Sequence, residues 1–89
     1  MNNVELLEYF LSKGANPSIQ NNDGITPLML WCVENWTDAV KLVFRYYPDI
    51  DLELKDRWGQ RTIDYCHNDS EIKKIIQERM GWDEKYKSK

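Results

Sequence analysis

Long apolar runs are missing from this sequence. No stretch approaches the roughly 18 apolar residues that a membrane-spanning helix needs. The N-terminus lacks a basic segment followed by an apolar block, so no secretory signal is expected. Basic charge is in deficit, with 12 Lys and Arg against 15 Asp and Glu and a net charge of −3. No basic stripe is available to neutralise phosphates, which argues against a nucleic-acid partner. Cysteine is scarce. Cys32 and Cys66 could pair in principle, but small disulfide-stapled domains carry more cysteines. Two free, buried or half-buried thiols in a reducing, cytoplasmic or nuclear setting are expected instead. The single histidine, His67, sits beside Cys66. Adjacent residues on a helix point about 100° apart, so the two make a poor nucleophile pair. Neither cysteine has the paired spacing of a structural zinc site. Asp49, Asp51 and Glu53 alternate like a calcium loop, but Leu54 stands where the loop needs Gly, and Gln60 where it needs Glu. The elements G-x-x-x-x-G-K, G-x-S-x-G and H-E-x-x-H do not occur. No metal, cofactor or catalytic activity is expected.

What is present reads as a folded chain. The sequence is 42% hydrophobic and 12% aromatic, too apolar for disorder. Its 89 residues allow one domain at most, with a modest buried share. Internal repetition is visible. Asn22-Asp23-Gly24-Ile25-Thr26-Pro27-Leu28-Met29-Leu30 aligns without a gap on Arg57-Trp58-Gly59-Gln60-Arg61-Thr62-Ile63-Asp64-Tyr65. The two glycines are 35 residues apart, a spacing typical of repeat architectures.

Each segment is followed by an amphipathic helix signal, over 37–44 and over 70–77, with apolar residues at i, i+3 and i+4. A third copy, Val4 to Leu11, opens the chain. Lys13-Gly14 predicts its stop. Pro48 predicts the stop of the middle helix near Tyr47. Thr26 is a good N-cap and Pro27 suits the first helical position. Asn35 or Thr37 is expected to cap the middle helix, and Asp69 or Ser70 the last. The coarse order is helix, turn-bearing loop, helix, helix, loop, helix, helix, tail.

On these residues the chain resembles the ankyrin family, whose repeat reads roughly D-x-x-G-x-T-P-L-H-x-A-A, a turn, E-I-V-K-L-L-L and G-A-D. Asp23 to Leu28 matches the opening, Lys41 to Phe44 the second helix, and Ser12 to Asn16 the repeat end. The resemblance implies an all-α helical solenoid with β-turn fingers, of about 2.5 repeats. It places an ankyrin domain over 1–80, with a partial repeat at 2–20, a full repeat at 21–54 and a terminal capping repeat at 55–80. A charged tail follows over 81–89. One helix–turn–helix unit cannot bury its own apolar face, so neighbours must stack.

Several departures carry expectations. The first repeat lacks an inner helix, so Leu6, Leu7 and Phe10 lose their usual cover. Either the chain is a piece of a longer array, or something else covers that face, self-association included. Met29 replaces the usual His, removing a Thr–His hydrogen bond. Trp31 replaces a small Ala and must reshape the stack or reach outwards. Pro48-Asp49-Ile50 adds two residues after the middle helix. Arg61-Thr62 replaces Thr-Pro, and the turn Asn68-Asp69-Ser70 is short, as in a terminal repeat.

The implied function is non-catalytic binding of a protein partner through the concave face and finger loops. The alternative is a structural cap that packs on the rest of its own polypeptide. The implied partner-binding residues are Asn22, Asp23, Ile25, Met29, Arg57, Trp58, Gln60 and Asp64. Trp58, at a finger tip, either anchors a partner or folds back on the neighbouring loop. Trp36 is expected to pack locally and Trp82 to cap the stack.

Overall fold

The computed structural model describes residues 4–81. It contains four helices, α1 (Val4–Ser12), α2 (Pro27–Val33), α3 (Thr37–Tyr46) and α4 (Glu71–Arg79), and one 3-10 turn, Thr62–Tyr65. Trp82 and the charged tail lie outside the described residues. Among the described residues, no helix is long and apolar enough to cross a membrane.

The helix ends follow local chemistry. Thr26 caps α2 by accepting from the Met29 N–H at 3.1 Å, and Pro27 takes the first helical position. The α1 stop is a Schellman motif. The Ala15 N–H donates to Phe10 O at 3.0 Å and the Gly14 N–H to Leu11 O at 3.1 Å. The end of α2 is built in the same way. Trp36 donates to Trp31 O at 2.9 Å and Asn35 to Cys32 O at 3.1 Å. Asn35 therefore holds the left-handed position, at φ 56, which asparagine tolerates better than most residues. This corrects the capping expectation for α3. Its N-cap is Trp36, with no side-chain cap bond, because Asn35 is already used to end α2. Ser70 caps α4, accepting from the Lys73 N–H at 3.1 Å. Asp69, the other candidate, takes a positive φ of 62 in the turn before it.

The terminal repeat departs furthest from expectation. Its inner helix shrinks to the single 3-10 turn. Arg61 offers no side-chain oxygen to cap a helix. Instead its own N–H donates to the Asp64 carboxylate at 2.9 Å. Thr62, Ile63, Asp64 and Tyr65 are all weak helix formers, and Cys66 leaves the turn extended, at ψ 144.

The elements form two layers. α1 packs on α3 and α3 on α4 in the outer row, while α2 packs on the 3-10 turn in the inner row. α2 against α3 joins the rows. The core runs through both: Leu7 and Leu11 from α1, Leu28 and Cys32 from α2, Ala39, Val40 and Val43 from α3, Ile72 and Ile76 from α4. The molecule extends 41 × 26 × 24 Å. Trp31 stays half-buried, edge-on to Trp36 at 6.0 Å between ring centroids. Two tyrosines of α3 and its end clasp the first repeat. Tyr46 donates to Glu8 Oε2 at 3.1 Å and Tyr47 to Ala15 O at 2.8 Å. The inserted residues fold into a turn closed by Ile50 N–H on Tyr47 O, at 3.1 Å.

Candidate functional site

The two finger loops share one design. In the first, Asn21 Oδ1 accepts from the N–H groups of Asp23 and Ile25, at 2.8 and 2.9 Å. In the second, Asp56 Oδ1 accepts from Trp58 and Gln60, at 2.9 and 2.8 Å. Asn21 and Asp56 are 35 residues apart, in the register that relates Gly24 to Gly59. Such side-chain-to-backbone bonds are what Asn and Asp supply in turns.

The fingers are also bonded to each other. Gln20 Nε2 donates to Gly24 O and to Lys55 O, both at 3.0 Å. The Arg57 N–H donates to Asp23 O at 2.8 Å, and Arg57 Nη1 pairs with the Asp23 carboxylate at 3.0 Å. Gly24 sits against the second finger so closely that a Cβ there would lie 2.8 Å from Asp56 Cα.

Asp56 is the hub of the second finger. It is buried, and Tyr65 donates its hydroxyl to Asp56 Oδ2. Burial pushes its carboxyl up, but the Tyr65 hydroxyl and the N–H groups of Gln60, Trp58 and Gly59 outweigh that and hold it below the usual carboxylate range. The same hydrogen bond, with burial, pushes Tyr65 up to about 12. The stability consequence has opposite signs at the two ends of the pH scale. A lowered Asp56 contributes stability at and above the ordinary carboxylate range, and that is lost as pH falls through its folded value. A raised Tyr65 contributes stability below its ordinary value of 10.0, lost as pH rises towards about 12. Asp56→Asn, which copies the first finger, should therefore flatten the acid limb of urea-midpoint against pH and return Tyr65 towards 10.0. An unchanged acid limb would show that Asp56 does not drive it.

The sequence-derived binding residues divide. Arg57, Trp58, Gln60 and Asn22 are exposed on the fingers, while Asp23 and Ile25 are half-buried there. Trp58 is 61% exposed, with the Arg57 guanidinium 5.4 Å from its ring centroid. Arg57, Trp58 and Asp23 thus form one group. Asp64 is exposed on the 3-10 turn, apart from them. Met29 is a correction: it is fully buried and cannot meet a partner. Its thioether sulfur accepts from the Thr26 N–H at 3.4 Å. Met29 turns inwards because an apolar side chain gains more from burial than from solvent. The exposed residue of α2 is its neighbour Leu30, 51% exposed, with Val33 also outward. Helical spacing could have found it, since Leu28 and Cys32 (i, i+4) point inwards and Leu30 lies roughly opposite.

The residues weighed for metals or nucleophilic chemistry have local partners. Asp51 Oδ1 accepts from the Glu53 N–H at 2.8 Å. His67 Nε2 donates to Val33 O at 2.6 Å, tying the terminal repeat to the end of α2. Cys32 and Cys66 are free thiols.

Searches among curated proteins and among solved structures each find no match. A family model of three ankyrin repeats matches residues 1–83. The matched span takes in both bonded fingers and all four helices, so the chain belongs to the ankyrin-repeat family, whose members generally serve as protein-interaction modules.

Proposed function

We propose that this chain is a non-catalytic module that takes a protein partner on its finger tips and concave face. The observation that carries this reading is Trp58. It stands mostly exposed on a finger that Asp56 closes from within, and Arg57, stacked on its ring, is pinned to Asp23 of the other finger. Trp and Arg are the side chains most enriched among binding hot spots, and a pre-ordered surface loses less entropy on binding. Asn22, Ile25, Gln60 and Asp64 extend the proposed surface, and Leu30 replaces Met29 in it. An intracellular, reducing setting is part of the proposal, supported by a sequence with only two cysteines, fewer than a disulfide-stapled domain carries.

The test uses protein ligands selected from a displayed library on the wild-type chain. Trp58→Ala should weaken them by ~2 kcal/mol or more, about thirtyfold in Kd, with helical circular dichroism unchanged. Unchanged affinity would remove Trp58 as the anchor.

A second reading, a cap that packs on the rest of its own polypeptide or on a second copy, is favoured by α1. In the repeat register Leu6 and Phe10 correspond to Ala39 and Val43, which α2 and its surroundings bury fully. Leu6 and Phe10 are instead 48% and 49% exposed. Light scattering of the isolated chain separates the two forms of this reading: a dimer supports self-association, and a cooperative monomer counts against it.

A further inference from the structure

We propose that Cys66 is a thiol–disulfide exchange site for small disulfides such as glutathione disulfide, and that Cys32 resolves it into a reversible Cys32–Cys66 bond. The two thiols belong to elements that pack directly on each other. Cys32 is fully buried in α2, Cys66 follows the 3-10 turn half-buried, and both lie in the same apolar cluster. One residue further along each segment, His67 Nε2 lies 2.6 Å from Val33 O. The segments therefore touch right beside the sulfurs, where the Cys66 thiol donates to Thr62 O at 3.7 Å.

Only Cys66 faces an entrance. It borders an open cleft of about 370 Å³ that Arg61, Asp64, Asn68 and Lys73 also line. Arg61 and Lys73 are cations suited to the carboxylates of glutathione, although each already has a partner. Arg61 Nη1 is 3.0 Å from Glu53 Oε1, and Lys73 Nζ is 3.1 Å from Asn68 Oδ1.

The two sulfurs differ in readiness. The neighbouring Cys32 holds the Cys66 thiol below its usual range, with help from Lys73 and against burial and Asp64. The proximity of Cys66, with burial, pushes Cys32 up. The thiolate is the attacking form, so Cys66 attacks first and Cys32 waits as a thiol.

The chemistry balances. The Cys66 thiolate attacks one sulfur of glutathione disulfide. That S–S bond breaks, one glutathione leaves as thiolate, and the other stays bonded to Cys66 Sγ. Cys32 Sγ then attacks Cys66 Sγ and displaces the second glutathione, while the proton of Cys32 passes to a departing glutathione thiolate. The two cysteines together lose two electrons and two protons, and one glutathione disulfide becomes two glutathione thiols. A reducing pool runs the steps backwards. The bond would strap α2 to a terminal repeat whose inner element is a single 3-10 turn.

The test equilibrates the reduced full chain in mixtures of glutathione and its disulfide, and reads intact mass, free thiols and a peptide map. The expected product has lost the mass of two hydrogens and both titratable thiols. It yields one cross-linked peptide pair, Cys32 with Cys66, and a higher Tm than the reduced chain, all reversed by dithiothreitol. Cys32→Ala should stop at one glutathione on Cys66, and Cys66→Ser should take up none. If Cys32→Ala fails to fold, the wild-type peptide map decides alone. A wild-type chain that stops at the glutathione adduct, a Cys66-linked dimer, or thiols that react only in urea would each overturn the proposal.

Discussion

Gly24→Ala is expected to cost about 2–5 kcal/mol of folding stability, read as a fall in the urea midpoint. Two effects add. Gly24 has φ +79, where a side chain costs about 1–2 kcal/mol. The new Cβ would also lie 2.8 Å from Asp56 Cα and 3.2 Å from both Asp56 C and Lys55 O. All three are backbone atoms of the other finger, so no rotamer change relieves the contact. Overpacking of this kind costs about 1–3 kcal/mol. Gly59 is the internal control. It has nearly the same φ, +81, with nothing within 4 Å of its Cβ position. Gly59→Ala should show the conformational part alone, about 1–2 kcal/mol. Equal losses at the two glycines would mean that the fingers do not press on each other in solution.

The second large effect is expected at Leu28. Leu28→Ala removes a side chain that is 1% exposed and belongs to the hydrophobic core. Large-to-small changes at such sites cost about 2–5 kcal/mol, according to how far the cavity collapses. Small domains have limited stability to lose, so this variant should be largely unfolded at a temperature where the wild type is folded. Leu30→Ala, two residues along the same seven-residue helix, should change stability by about 0.5 kcal/mol or less. Its effect, if any, should fall on partner binding. A Leu30→Ala loss comparable to that of Leu28→Ala would mean that the exposed and buried sides of α2 are misassigned.

Both pairs bear on what was legible in the residues. The Thr26-Pro27 start, the Gly14 stop and the Pro48 stop were legible because each depends on one residue's own backbone preference. The stack itself was legible from the 35-residue register and the apolar spacing of α1, α3 and α4. Side-chain chemistry alone allows either Asn35 or Thr37 to cap α3, and only the Schellman bonds of α2 show Asn35 already committed. The ankyrin resemblance points Met29 outwards, whereas helical spacing puts Leu30 there. The terminal 3-10 turn needed the balance between weak helix formers and packing on α2, which no local pattern expresses. The finger-to-finger bonds were invisible for a different reason. Gln20 of one finger and Arg57 of the other each donate to a main-chain carbonyl across the gap, and any residue supplies a carbonyl.

The clasping tyrosine Tyr46 has a consequence for how the chain reaches its fold. Its bond to Glu8 spans 38 residues, the longest sequence separation among the described hydrogen bonds. Among the described residues, the long-range hydrogen bonds therefore join a repeat to its neighbour. Such topologies close only short loops during folding, and short loops close quickly. Folding can begin at the central repeat and spread to either side, one neighbour at a time. Opening should run in reverse, by fraying at the two ends while α2 and α3 persist. Amide hydrogen exchange should accordingly be slowest in α3 and quicken towards both termini.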